Sequence, residues 1–70
     1  MRIIYTDHAE NQIVERKIVK EWVNEVIKTP ETVRIIGCKY IVSRKLNSHI
    51  LEVVYVKEKY INVVTCYFIK

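Results

Sequence analysis

Seventy residues leave room for a single core, since a chain of this size hides only about 60% of the surface that its unfolded form exposes. Half of the residues are apolar and there is one glycine and one proline, a composition outside the polar, proline-rich range of disordered chains. The formal charge of +4 is uneven: residues 1–31 hold five basic and six acidic side chains, whereas residues 32–70 hold seven basic and two acidic. Charge placed this way suits phosphate or an acidic partner, and equally a solvated surface with lysines guarding strand edges, which charge alone slightly favours.

No apolar run is long enough for a signal peptide or a membrane span, so the cytoplasm is the expected location, with no membrane partner. Cys38 and Cys66 belong to no Cys-x-x-Cys or Cys/His cluster and read as two reduced, mostly buried thiols rather than as a disulfide or a zinc site. Neither a metal nor another cofactor is expected.

In chain order, Arg2 to Tyr5 is β-branched and aromatic enough for a short first strand. Thr6-Asp7 supplies capping oxygens, and Glu10, three residues after Asp7, completes an Asp-x-x-Glu form of the capping box at a helix start. Ile18, Val19, Trp22, Val23, Val26 and Ile27 recur at helical spacing until Thr29-Pro30 stops the run. Ile13 falls roughly 140° from the centre of that stripe, so one straight helix cannot bury both and a break is predicted near Lys17.

After Pro30 the period changes to that of strands. Thr32 to Ile36, Lys39 to Lys45, Ile50 to Lys57 and Tyr60 to Phe68 are rich in Val, Ile and Tyr, punctuated at Gly37-Cys38, Leu46 to His49 and Glu58-Lys59. Such short connections require antiparallel neighbours. The fold class is therefore α+β: a short N-terminal strand, two helices, then an antiparallel sheet of three to four strands packed by the helices on one face and partly open on the other. Ile18, Trp22 and Val26 are expected to form one core with Leu51, Val53 and Val63.

His8, Gln12 and Arg16 follow at intervals of four with Glu15 beside them, a polar stripe along the first helix. His8 lies in the first turn, where the helix dipole and free N–H groups attract anions, and Arg16 carries the fork that fits phosphate. From spacing alone, the plainer reading is a polar helix-start residue and a surface ion pair. Tyr67 and the other strand tyrosines read first as packing residues, and His49 as exposed turn chemistry.

The segments Tyr5-Thr6-Asp7-His8-Ala9, Glu15-Arg16-Lys17-Ile18, Val23 to Pro30-Glu31, Val53-Val54-Tyr55 and Val63-Val64-Thr65-Cys66-Tyr67 together resemble the domain of unknown function 4258 family over nearly the whole chain. The resemblance implies helices on an antiparallel sheet, akin to the BrnT-like and RelE-like toxins, which are metal-independent endoribonucleases neutralised by an antitoxin protein. It matches His8 and Arg16 to the family's histidine and second arginine, and Tyr67 to its late aromatic position. Gln12 stands where the family more often has arginine, and Lys17-Ile18-Val19 replaces its usual Arg-Gly-Ile-Ser turn.

The function so implied is a toxin-like endoribonuclease of a toxin–antitoxin type of system. The alternatives are a non-catalytic RNA-binding module and a protein-interaction domain. In the first, a 2′-hydroxyl attacks the adjacent phosphate. His8, or less favourably Glu15, takes the proton, Arg16 with Arg44 or Lys45 steadies the phosphate, and Tyr67 orients or protonates the leaving oxygen. RNA binding is assigned to Gln12, Arg34, Lys39, Arg44 and Lys45. The partners are then RNA and an antitoxin-like protein, with the chain a monomer or a homodimer.

Overall fold

The computed structural model describes residues 2–69. The chain runs β1 (Ile3–Tyr5), α1 (Asp7–Glu15), α2 (Lys20–Lys28), β2 (Thr32–Ile36), β3 (Lys39–Leu46), β4 (His49–Lys57) and β5 (Ile61–Ile69). The four later strands form the expected antiparallel meander, but the sheet has five strands and is mixed, in the order β1-β5-β4-β3-β2. β1 adds itself to the far side of β5 in parallel, with Ile3 opposite Ile61 and Tyr5 opposite Val63. The intervening helices and strands supply the crossover that a parallel pair requires.

The N-cap of α1 is Thr6 rather than Asp7. The Thr6 hydroxyl accepts from the Ala9 amide at 3.1 Å, which satisfies one of the free N–H groups of the first turn. Glu10 does not close a box; it pairs with Lys20 at 3.0 Å and links the two helices. α1 ends in a Schellman motif, with Ile18 N–H on Ile13 C=O at 2.9 Å and Lys17 N–H on Val14 C=O at 3.3 Å. The break expected near Lys17 is therefore a cap. Lys17 takes a left-handed φ of 54° there, where a glycine is the usual occupant.

Both helices lie on one face of the sheet, α1 over β5 and β1, α2 over β4 and β3. Between them and the sheet Val23, Val26, Leu51, Val53, Val63 and Cys66 are almost wholly enclosed. Each aliphatic side chain so buried contributes about 1.5–3 kcal/mol. Ile18, Val26, Leu51, Val53 and Val63 join this core as expected. Trp22 does not. It is 39% exposed and meets Phe68 edge-on at 6.2 Å, because the buried line of α2 runs through Val23, Val26 and Ile27 and leaves Val19 and Trp22 on its flank.

The hairpins turn in two residues each, at Gly37-Cys38 (Gly37 φ 62°) and Asn47-Ser48 (Asn47 φ 58°). Gly and Asn tolerate the positive φ that tight hairpins need at that position. The thiols divide accordingly: Cys66 is buried in the core, whereas Cys38, read from sequence as mostly buried, is exposed at a hairpin tip.

Candidate functional site

The polar stripe of α1 serves the sheet first. Beyond Val63 the edge of β5 that faces away from β4 has no strand beside it among the described residues, and its outward main-chain groups need partners. α1 supplies them. Thr6 N–H donates to Val63 C=O at 3.0 Å and the Thr6 hydroxyl to Val64 C=O at 3.2 Å. Gln12 Oε1 accepts from the Thr65 hydroxyl and, at 3.4 Å, from Cys66 N–H. Arg16 Nη1 donates to Cys66 C=O at 3.0 Å. Gln12 and Arg16 thus take the place of a neighbouring strand at Cys66. The Cys66 thiol beneath them is pushed up from its ordinary pKa by burial, with the Arg16 charge acting in the opposite direction. His8 is exposed in the first turn of α1 and takes no part in these contacts.

Tyr67 lies on the other face. Alternation along β5 turns it away from buried Cys66, and its hydroxyl donates to Glu52 across the strand pair. That bond, with burial adding to it, raises the pKa of the phenol, while nearby Arg34 opposes the rise. Arg34, Lys39 and Lys45 occupy alternate positions that place them on this open face. His8, Arg16 and Tyr67 are therefore distributed over a helix start, a strand edge and a sheet face.

The same alternation places Arg44 on the helix side, opposite to Arg34, Lys39 and Lys45. There the first two turns of α2, the β3–β4 hairpin and the end of β5 border a cleft of about 500 Å³, lined by Lys17, Trp22, Glu25, Arg44, His49 and Phe68, with Lys45, Leu46 and Asn47 of the hairpin. Two aromatic contacts build its wall, Trp22 on Phe68 at 6.2 Å and His49 on Phe68 at 5.6 Å, both edge-to-face. Arg44 Nη1 donates to Thr29 C=O at 2.9 Å, which fixes the guanidinium. Its Nε lies 3.6 Å from Glu25 Oε2, near enough for ionic attraction and too far for a hydrogen bond. That Nε is buried with no hydrogen-bond partner among the described residues.

Of the residues expected from sequence to bind RNA, the cleft takes in Arg44, and Lys45 borders it from a strand position that belongs to the open face. Lys17, Trp22, Glu25, His49 and Phe68 were not selected. Trp22 read as core and His49 as turn chemistry, and the only sequence signal for either was an aromatic at the margin of a helical stripe and an imidazole beside a hairpin.

The family described as Domain of unknown function (DUF4258) matches residues 5–68. This chain belongs to that family. The match covers both helices and extends from the end of β1 almost to the end of β5, so the strand-edge contacts of α1 and the whole cleft lie within it. No curated protein and no solved structure matches the chain. Among the described residues no helix is long and apolar enough to cross a membrane.

Proposed function

We propose that this DUF4258 protein acts on RNA in the cytoplasm and that the cleft between α2 and the β3–β4 hairpin is where it holds the strand. The observation that supports this reading is the orphaned Arg44 Nε in a cleft that gathers Lys17 and His49 around Trp22 and Phe68. A guanidinium with a buried donor left unpaired is incompletely satisfied by the protein, and a phosphate entering the cleft can pair with the same cation from its open side. Aromatic faces beside cations suit a single-stranded nucleotide, whose base stacks while its phosphate is paired.

The sole tryptophan lies in the cleft, so quenching of its fluorescence reports occupancy there. Titration with short single-stranded RNA is expected to quench Trp22 saturably. Affinity should fall by about an order of magnitude between roughly 50 and 200 mM salt, as expected for three phosphate contacts. No response in either salt would overturn the reading.

Cleavage of the bound strand, in the toxin-like manner that the family resemblance implies, is a second reading. It is favoured by one observation, that an imidazole able to exchange protons stands in the same cleft as the cations. His8 and Arg16 remain the competing pair, since His8 is exposed and free to meet a substrate. RNA incubated with the protein and with His49→Ala and His8→Ala separates these: loss of cleavage in one variant identifies its histidine, and intact RNA throughout leaves a binding module.

A further inference from the structure

The carboxylate of Glu25 is an odd component of a site for polyanions. It stands on α2 one turn from Trp22, both side chains line the cleft, and it faces the Arg44 guanidinium without closing a hydrogen bond to it. The Glu25 side chain is about half exposed, so its oxygens remain available to an entering group. A carboxylate is acceptor-only and presents two oxygens side by side. Among the bases, guanine alone offers two adjacent donors on its Watson–Crick edge, the ring N1–H and the exocyclic N2 amine. Adenine and cytosine place a ring acceptor beside their amine, and uracil flanks its one N–H with two carbonyls, so each would set a lone pair against the carboxylate.

We infer that the cleft is a guanine-selective nucleotide site, in which Glu25 takes the Watson–Crick edge of a base that rests against Trp22 and Phe68 while Arg44, with Lys17, holds its phosphate. Arg44 suits both halves of this arrangement. Thr29 C=O fixes Nη1 and Glu25 faces Nε, so an anion would pair with the guanidinium through Nη2. At about 500 Å³, with Lys17 and Arg44 in its lining, the cleft has room for one nucleotide rather than for a duplex. The inference rests on the RNA reading and narrows it to one base; a free guanine nucleotide and a guanosine within a strand share the chemistry.

The experiment follows Trp22 fluorescence during titration with guanosine monophosphate, adenosine monophosphate, and two short oligoadenylates, one of them carrying a single guanosine. The expected result is a preference for guanine of about tenfold or more, within the range of a two-point base contact. Equal enhancement in the mononucleotide and oligonucleotide pairs identifies the base itself as the determinant, and enhancement confined to the oligonucleotide identifies a residue in a strand. Glu25→Gln should abolish the preference while leaving adenosine monophosphate binding unchanged or tighter, because the Arg44 charge is then less neutralised. Arg44→Ala should weaken all four ligands together. Saturable quenching by every ligand with no preference for guanine, or a preference that survives Glu25→Gln, would overturn the guanine site and leave RNA binding standing. Silence with all four ligands would overturn both.

Discussion

Arg16 and Arg44 each donate one bond to a main-chain carbonyl at nearly the same length, 3.0 and 2.9 Å, and they belong to different kinds of place. Around Arg16 the polar groups find one another: Thr6 meets the carbonyls of Val63 and Val64, and Gln12 and Arg16 meet the N–H and C=O of Cys66. Around Arg44 the partnering is incomplete, with a buried Nε unpaired, a carboxylate held off at 3.6 Å, and a cleft lined by aromatic rings alongside. Polar groups that satisfy one another build a fold, and polar groups left over in a concavity wait for something else. The residue type does not separate the two cases.

The contrast can be tested by removing each side in turn. The scale is set by Leu51→Ala, since Leu51 is fully enclosed and lies between Arg44 and Phe68 in the sheet register. It should cost about 2–5 kcal/mol in a denaturant melt and lower RNA binding only by unfolding the protein. Gln12→Ala should cost about 1–3 kcal/mol, because it strips a partner from the Cys66 amide and the Thr65 hydroxyl, and should leave Trp22 quenching by RNA unchanged. Equal stability in that variant would remove the strand-edge role.

Trp22→Ala should cost only about 1–2 kcal/mol, for a partly exposed ring with one edge-on neighbour, and yet weaken RNA binding measured calorimetrically by about tenfold. Lys17→Gly should do the reverse to stability. Relief of the left-handed lysine should raise the melting free energy by about 0.5–1 kcal/mol while RNA binding falls, since the cleft loses a cation. A variant that gained stability with unaltered binding would take Lys17 out of the cleft.

The mildest test is alkaline. Burial raises the pKa of Cys66 and of Tyr5, so in the folded state both hold their protons longer than in the unfolded chain. The unfolded chain therefore binds fewer protons in that window, and stability falls with rising pH, beginning near 9 for the thiol and near 10 for the phenol. Cys66→Ala should move the onset of the decline toward 10, read from melts at stepped pH.

Much of the architecture could be read from periodicity. The four later strands, the two helices and their shared face follow from alternation and helical spacing, and the break near Lys17 from the phase of Ile13. The cap that makes the break was hidden, because Lys17 carries none of the signal of a glycine. β1 was legible as a strand and illegible as a neighbour, since nothing in Ile3-Ile4-Tyr5 names β5 as its partner. Trp22 was misplaced because membership of an apolar stripe does not say which member lies at its centre. The cleft was least visible: Lys17, Glu25, Arg44, His49 and Phe68 are far apart in sequence and each has an ordinary local explanation.

The parallel seam between β1 and β5 also orders events in time. The strand that leaves the ribosome earliest of the five pairs with the one that leaves it latest, Ile3 with Ile61, and α1 rests its side chains on that same late strand. Until β5 emerges, β4 has one bare edge and the inner face of α1 has nothing to cover. The β2–β3–β4 meander can form during synthesis from contacts close in sequence, whereas β1 and α1 must wait for the longest loop in the fold to close. A nascent chain stalled before residue 61 should accordingly remain sensitive to protease at its N-terminal segment, and the same segment should become protected once β5 is free.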